Sequence, residues 1–87
     1  MKIQLKLYAS SKILSDTDIL KVDLPNSSNV GDLRNALSKI ISEKNLKQLK
    51  DLPAASAFFG EFNEVINDEY KLKDKELISI IPPIGGG

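Results

Sequence analysis

The sequence opens with strict alternation between apolar and polar positions. From Lys2 to Tyr8 every second side chain is apolar, and a period of two residues is typical of a strand with one buried face. The same alternation returns from Leu20 to Leu24 and stops at Pro25, a residue that cannot donate to a sheet ladder. We therefore predict two strands, paired with each other and separated by a polar, turn-like segment from Ser10 to Asp18.

A helix is predicted to begin at Val30 and to end near Lys44 and Asn45. Asn29 precedes it and Asp32 stands three positions later, a spacing that resembles a capping box with an acid near the helix N-terminus. The apolar residues of this segment form one stripe at helical spacing: Val30, Leu33, Leu37, Ile40 and Ile41. A stripe of this kind is predicted to pack against a sheet.

The second half of the chain predicts further strands. Residues 46–53 favour a short helical turn that covers one end of the core, and the apolar run of residues 55–62 favours a strand. A turn at Asn63-Glu64 leads to a short strand at Val65-Ile66. The last run, Leu77 to Ile81, is too apolar for an edge strand and is predicted to be central in the sheet.

Two strands, a helix and then further strands is the order of a β-grasp domain. We predict an α+β fold of this class, with one main amphipathic helix packed across a mixed sheet, over residues 1–81. Residues 82–87 are predicted to form an extended Pro-Pro/Gly-Gly tail. A hairpin followed by one amphipathic helix also occurs in other α+β folds, so this order alone leaves them open.

Composition narrows the possible functions. The chain has 87 residues, with twelve basic and twelve acidic side chains, and this neutrality argues against a nucleic-acid partner. It has no cysteine and no histidine, so it lacks a thiolate nucleophile and the most usual acid–base and metal-binding side chain. No stretch is apolar enough for a signal peptide or a membrane span, and we expect a cytoplasmic protein.

The last residues are the strongest candidate for chemistry. Pro82 and Pro83 fix φ and are predicted to end the strand, and three glycines close the sequence. Because glycine has no Cβ, Gly85 to Gly87 could pass in extended form through a channel too narrow for other residues. We expect the reacting group to be the carboxylate of Gly87.

Several motifs together carry a resemblance to a known family. They are Leu7-Tyr8-Ala9, Asn29-Val30-Gly31-Asp32-Leu33, Phe62-Asn63-Glu64, and the run from Leu72 through Pro82-Pro83 to Gly86-Gly87. In these the chain resembles, essentially end to end, the small subunit of molybdopterin synthase, the MoaD-type sulfur carrier of the ubiquitin-like superfamily. One departure is the turn before the last strand, where the family usually has Asp-Gly-Asp and this chain has Asp74-Lys75-Glu76.

The resemblance implies a sulfur-carrying co-substrate rather than an enzyme. A ubiquitin-activating-type adenylyltransferase would use ATP to adenylate Gly87, and a sulfur donor would convert the adenylate to a thiocarboxylate. The sulfur would pass to cyclic pyranopterin monophosphate in molybdenum cofactor biosynthesis. The pterin pocket would belong to the large subunit of molybdopterin synthase, and this chain would bind no cofactor itself.

Partner contacts are predicted in the tail and on one face of the sheet. If the apolar positions of the first strand face the helix, Tyr8 lies on the opposite face, and alternation in the last strand places Ile81 there too. An exposed apolar surface is the expected mark of a partner site. The predicted contacts are Gly86, Gly85, Pro83, Pro82, Ile81 and Tyr8, joined by Val65 or Ile66.

Three other readings stay open. A ubiquitin-like modifier, conjugated to lysines through Gly87, shares every feature of the tail, and a sulfur carrier for thiamine or transfer-RNA thiolation shares the fold. An interaction domain with an incidental glycine tail is the third. A stand-alone enzyme is the weakest reading, because the sequence offers no nucleophile–base pair and no metal-binding cluster. Asp74 and Glu76, two residues apart in a charged turn, are more typical of a soluble surface than of paired catalytic carboxylates.

Overall fold

The computed structural model describes residues 1–83. The predicted site residues Gly85, Gly86 and Gly87 therefore lie outside the described residues. Within residues 1–83 the elements follow in this order: β1 (Lys2–Leu7), a first 3₁₀ helix (Ala9–Leu14), β2 (Ile19–Asp23), α1 (Val30–Glu43), a second 3₁₀ helix (Lys47–Leu49), α2 (Leu52–Ala55), β3 (Ala57–Phe59), β4 (Val65–Ile66) and β5 (Leu77–Ile81).

The five strands form one mixed sheet in the order β2-β1-β5-β3-β4. β5 is parallel to β1 and antiparallel to β3, whereas the β1–β2 and β3–β4 pairs are antiparallel. β5 thus occupies the centre, as its apolar sequence predicts. Its residues Ile78 and Ile80 have no exposed surface.

The helix α1 begins at Val30, as the capping residues predict. The Asn29 side chain accepts a hydrogen bond from the Asp32 N–H at 2.9 Å, and the Asp32 carboxylate accepts one from the Asn29 N–H at 2.9 Å. These reciprocal bonds satisfy two amide groups that have no partner within the helix. The boundary is therefore fixed by local contacts.

The C-terminal end of α1 is closed by a Schellman motif. Asn45 adopts a left-handed conformation with φ 58°, which asparagine tolerates better than most residues. The Leu46 N–H donates to the Ile41 carbonyl at 3.0 Å, and the Asn45 N–H donates to the Ser42 carbonyl at 3.1 Å. The helix therefore ends where the sequence predicts.

The core lies between α1 and the inner face of the sheet. Val30, Leu33 and Leu37 are fully buried, and Ile41 is nearly so, whereas Ile40 is only partly buried at the edge of the core. The inner face of β1 contributes the alternating apolar residues Ile3, Leu5 and Leu7. The predicted helix stripe therefore packs across the sheet.

The segment after α1 covers one end of the core with two short helices. Leu49 and Leu52 are buried there, in agreement with the predicted helical turn. The segment after β1 differs from the prediction, since residues predicted as turn-like form a 3₁₀ helix that buries Ser11 and Leu14. A short helix without apolar periodicity gives no signal in the sequence.

Arg34 ties α1 to this covering segment. Its Nη1 donates to the carbonyls of Pro53 at 2.6 Å and Ser56 at 2.8 Å, and its Nε pairs with the Asp68 carboxylate at 2.8 Å. Its guanidinium also lies 4.7 Å from the centroid of the Phe58 ring. One side chain thus holds three parts of the chain together.

Among residues 1–83, no helix has the length and apolar character that crossing a membrane would require.

Candidate functional site

The face of the sheet opposite α1 carries the candidate site. Strand register sets Lys6 opposite Ser79, Ser79 opposite Phe59, and Phe59 opposite Val65. Residues that face each other across paired strands project from the same side of the sheet. Because the neighbouring residue Phe58 is fully buried in the core, this row lies on the outer face.

A shallow depression of about 210 Å³ opens on the outer face beside the end of β5. Its lining residues come from four parts of the chain: Tyr8, Phe59, Asn63, Ser79 and Ile81. Val65 extends this surface along the row and is 70% exposed. We call Tyr8, Phe59, Val65 and Ile81 the apolar patch.

The structure brings Tyr8 and Ile81 to the same depression, where alternation places them. Of the two predicted alternatives, Val65 lies on the outer face, whereas Ile66 is only 6% exposed and belongs to the core. The prediction of Ile66 as a surface contact is therefore wrong. The physical reason is its pairing with the buried Phe58, which turns the Ile66 side chain inward.

The two prolines that follow β5 differ in burial. Pro82 is buried against the body of the domain, and Pro83 is the first exposed residue after β5. The prediction of Pro82 as a surface contact is corrected accordingly. Pro83 lines a separate groove of about 440 Å³ together with residues of the two 3₁₀ helices and α2, among them Ser10 and Leu52.

Phe59 and Asn63 belong to the site although the sequence does not single them out as contacts. The signal for Phe59 is its position next to Phe58, since one of two successive strand residues must face outward. Asn63 has φ 64°, and this left-handed conformation closes the turn between β3 and β4 with a hydrogen bond of 3.0 Å from its N–H to the Gly60 carbonyl.

Gly60 and Glu64 shape the turn beside the patch. The Gly60 N–H donates to the Glu64 carbonyl at 2.8 Å, and the Glu64 carboxylate accepts from the Phe62 N–H at 3.0 Å. A Cβ at position 60 would come within 2.6 Å of that carboxyl group. A side chain at position 60 would therefore displace the Glu64 carboxylate, and the turn presents Phe62, 83% exposed, at its tip.

Ser11 fixes the backbone of Tyr8. Its hydroxyl accepts a hydrogen bond from the Tyr8 N–H at 2.8 Å and donates one to the Tyr8 carbonyl at 2.6 Å. The next residue, Ala9, has φ 52°, so the chain turns sharply where β1 ends. Ser11 is completely buried, and its hydroxyl thereby sets the position of one member of the patch.

The carboxylates of Asp74 and Glu76 hold the turn before β5. Asp74 accepts a hydrogen bond from the Lys2 N–H at 2.9 Å, and Glu76 accepts bonds from the Lys73 N–H at 2.8 Å and the Tyr70 hydroxyl at 2.5 Å. The bond to Glu76, together with burial, raises the pKa of Tyr70 to about 12. Both carboxylates are therefore engaged in structural contacts.

Within residues 1–83, no three His, Cys, Asp or Glu side chains are grouped so that they could hold a metal ion. The outer face instead offers an exposed apolar surface beside the end of the central strand. An exposed apolar surface of this kind is suited to contact with another protein.

Comparisons with known proteins identify the fold. No protein-family model matches the sequence, and no curated protein matches it. Among solved structures, SAMP1 from Haloferax volcanii is similar over 100% of both chains, with 18% identity and a TM-score of 0.69. A protein described as molybdopterin converting factor subunit 1, from Pyrococcus furiosus, is similar over 95% of this chain and 98% of its own, with 22% identity and a TM-score of 0.68.

A third structure is a complex of subunits 1 and 2 of the molybdopterin-converting factor from Helicobacter pylori 26695. The matching chain has 23% identity over 100% of both chains and a TM-score of 0.57. At these identities the likeness concerns the fold, and it agrees with the mixed five-stranded sheet and the helix packed across it. The chain therefore has the ubiquitin-like β-grasp fold.

Proposed function

We propose that this chain is a sulfur carrier, the small subunit of a molybdopterin synthase, with the sulfur carried as a thiocarboxylate on Gly87. The observation that supports it most directly is the position of Ile81. This residue ends the central strand and lines the depression of the apolar patch, only two positions before the exposed Pro83. A partner could hold the patch and take in the tail at the same time.

The reach of the tail fits this role. Extended chain covers about 3.3 to 3.6 Å per residue, so the five residues from Pro83 to Gly87 could span roughly 17 Å. Glycines at 85, 86 and 87 would pass through a narrow channel without a side-chain clash. Gly85, Gly86 and Pro83 are therefore proposed as tail contacts of the partner.

The proposed chemistry begins in a ubiquitin-activating-type adenylyltransferase, which binds and uses ATP. A carboxylate oxygen of Gly87 attacks the α-phosphorus, pyrophosphate leaves, and an acyl adenylate forms. A persulfide sulfur of the donor then attacks the carbonyl carbon and AMP leaves. A thiol supplies the two electrons that cleave the resulting S–S bond, and the thiocarboxylate remains on Gly87.

The proposed acceptor is cyclic pyranopterin monophosphate in the large synthase subunit. The Helicobacter pylori structure, a complex of subunits 1 and 2, supports a partner of this kind. The absence of cysteine and histidine from the sequence fits a co-substrate that binds no cofactor and leaves acid–base catalysis to its partner. We place the reaction in the cytoplasm, where thiols are kept reduced.

A second candidate function is protein modification. The similar structures include SAMP1, a small archaeal modifier protein, from Haloferax volcanii and a ubiquitin from Caldiarchaeum subterraneum. A modifier would use the same acyl adenylate, and a lysine amine of a target would replace the sulfur nucleophile. The products of the two candidates therefore differ in mass and in the protein that carries the chain.

Intact mass spectrometry separates these candidates. The purified chain is incubated with a ubiquitin-activating-type adenylyltransferase, ATP and a persulfide donor, beside a chain that lacks Gly87. A Gly86→Ala/Gly87→Ala variant keeps the tail length and tests the need for glycine. An oxygen-to-sulfur mass increase on the unaltered chain alone supports the carrier. Attachment of the chain to protein lysines supports the modifier. If the mass of the chain does not change although the same adenylyltransferase is active on a known carrier, both candidates are contradicted.

A further inference from the structure

The groove that Pro83 lines lies at the root of the tail. It has a volume of about 440 Å³, and its other walls come from the two 3₁₀ helices and α2. Leu49 and Leu52, each nearly buried, and the exposed Ala55 give it apolar surface. The last described residue of the chain therefore stands at the groove itself.

The residues that follow β5 lead away from the apolar patch. Ile81 lines the depression on the outer face, Pro82 is buried, and Pro83 lines the groove instead. The described residues that line the depression and those that line the groove have no member in common. Two positions along the chain thus lead from one surface to the other.

Ile84 is the next residue in the sequence and lies outside the described residues. A trans peptide sets consecutive Cα atoms about 3.8 Å apart, so the groove is within reach of residue 84. Ile84 is also the only residue after Pro83 with an apolar side chain, since three glycines follow it. Burial of this side chain in the groove would remove its methyl groups from water.

The two prolines lower the entropic cost of such a contact. Each has its φ fixed near −65° by the ring, and Pro82 is already buried in the domain. Few bonds therefore remain to be ordered when Ile84 enters the groove, and the loss of conformational entropy is smaller than for a flexible root.

The polar rim of the groove suits the isoleucine better than the charged end of the tail. Ser10 and Gln48 line it and are uncharged, whereas Asp51 carries a carboxylate that makes no ion pair among residues 1–83. At short range this carboxylate would repel the carboxylate of Gly87. The favoured occupant is therefore the side chain at the root of the tail.

We propose that in the free chain the Ile84 side chain occupies this groove and holds the root of the tail against the two 3₁₀ helices and α2. The three glycines then extend from a fixed point, with their carboxylate away from Asp51. This contact is internal, so it needs no partner and does not depend on the proposed function. A protein that takes in the tail from Ile84 onward would compete with the groove for this side chain.

Solution NMR of the full chain, with labelled methyl groups, tests the contact directly. The groove variant is Ala55→Asp, which places a carboxylate in the wall, where an isoleucine above it would remove the charge from water. The matched control is Ala54→Asp, at an exposed position of the same short helix that does not line the groove. Circular dichroism and the urea midpoint check that both variants are folded.

We expect nuclear Overhauser effects between the methyl groups of Ile84 and Ala55 in the unaltered chain. Their counterparts between Ile84 and Leu52 should persist in Ala54→Asp and be lost in Ala55→Asp. The order parameter of the Ile84 amide should then fall below about 0.6, the value typical of a flexible backbone.

Several outcomes would overturn the proposal. The first is an unaltered chain without these Overhauser effects, and the second is contact of Ile84 with Tyr8 or Phe59 on the apolar patch. Overhauser effects that weaken on tenfold dilution would assign the groove to the tail of a second copy. Equal loss in Ala54→Asp and Ala55→Asp would assign the change to the added charge on α2 rather than to the groove.

Substitution of the isoleucine gives an independent test. Ile84→Ser should lower the order parameter of the Gly85 amide, whereas Ile84→Leu, an apolar side chain of similar volume, should preserve it. An order parameter of Gly85 that is unchanged in Ile84→Ser would show that the prolines alone fix the root of the tail, and it would overturn the role of the side chain.

The mass assay keeps this contact and the proposed function apart. Contact between Ile84 and Ala55 without any gain of sulfur or attachment to lysine would leave the docking in place and contradict the proposed function. A gain of sulfur by a chain that lacks the contact would support the carrier and overturn the docking.

Where both hold, Ala55→Asp should gain sulfur faster than Ala54→Asp at limiting chain concentration. A docked fraction of about nine-tenths would weaken capture of the tail about tenfold, because only the released tail is competent to bind. Equal rates would overturn the competition between the groove and the partner.

Discussion

The Tyr70 hydroxyl donates a hydrogen bond of 2.5 Å to the Glu76 carboxylate, and this contact, followed by burial, raises the pKa of Tyr70 to about 12. The fold therefore favours the neutral phenol. An unfolded tyrosine has a pKa near 10, so the stabilising contribution is complete below about pH 10 and is lost as the pH rises through about 12. We expect the Tyr70 absorbance change to occur two pH units higher than in a free tyrosine.

The sequence holds two tyrosines, so the other must be replaced before the titration of Tyr70 can be followed alone. A Tyr8→Phe variant isolates Tyr70, and ultraviolet absorbance follows its ionisation. Adding Glu76→Gln removes the largest cause of the shift and keeps the shape of the side chain, so the pKa should fall toward 10. Equal midpoints with and without Glu76→Gln would contradict the assignment to this bond.

Ser11 is a second residue whose contacts have a measurable consequence. Its buried hydroxyl serves both the N–H and the carbonyl of Tyr8. Ser11→Ala leaves a backbone donor without that partner and should lower the free energy of unfolding by about 1–3 kcal/mol. Urea unfolding measures the loss, and Ser10→Ala, at an exposed neighbouring position, should change stability by less than about 0.5 kcal/mol. Equal effects would contradict a special role for the Ser11 hydroxyl.

At the scale of elements, the stability of α1 depends on its buried stripe. Leu37 has no exposed surface, and Leu37→Ala would remove its packing and leave a cavity. We expect a loss of about 2–5 kcal/mol in the free energy of unfolding, measured in urea. Lys39→Ala, exposed on the same helix, is the control and should change little. A Leu37→Ala effect within experimental error would show that the helix packs through another face.

Elements with local signals were predictable from the sequence. The capping pair Asn29 and Asp32 lies within one helical turn, so the start of α1 is visible in a few residues. The apolar run from Leu77 to Ile81 likewise places β5 at the centre of the sheet. Short elements without periodicity, such as the 3₁₀ helix Ala9–Leu14, offer no comparable pattern.

Contacts between distant parts of the chain were not predictable in the same way. Arg34 lies outside the apolar stripe, yet it bonds to Pro53, Ser56 and Asp68, which are 19, 22 and 34 positions away. The face of Val65 could not be assigned either, because β4 has two residues and its register depends on pairing with β3. Alternation over a longer strand, by contrast, placed Tyr8 on the outer face.

At the scale of the whole molecule, the two faces of the sheet differ in burial. The inner face and α1 form the core, whereas the outer face presents the apolar patch. A domain with a Cα radius of gyration of 11.9 Å has little room for an enclosed catalytic cleft. The exposed patch is the surface that the proposed binding to a larger partner would use.

The last prediction separates partner binding from stability. Val65 is 70% exposed within the patch, and Ile13 is 52% exposed on the first 3₁₀ helix, outside it. Val65→Ser should leave the urea midpoint nearly unchanged but weaken binding to the large synthase subunit by about tenfold, or about 1.4 kcal/mol. Isothermal titration calorimetry measures the affinity, with Ile13→Ser as the matched control. Equal weakening by both substitutions would indicate a nonspecific effect of exposed apolar area, and no weakening by Val65→Ser would place the interface elsewhere. A selective effect of Val65→Ser would tie the outer face to the partner, because the two variants make similar apolar-to-polar changes and differ chiefly in position.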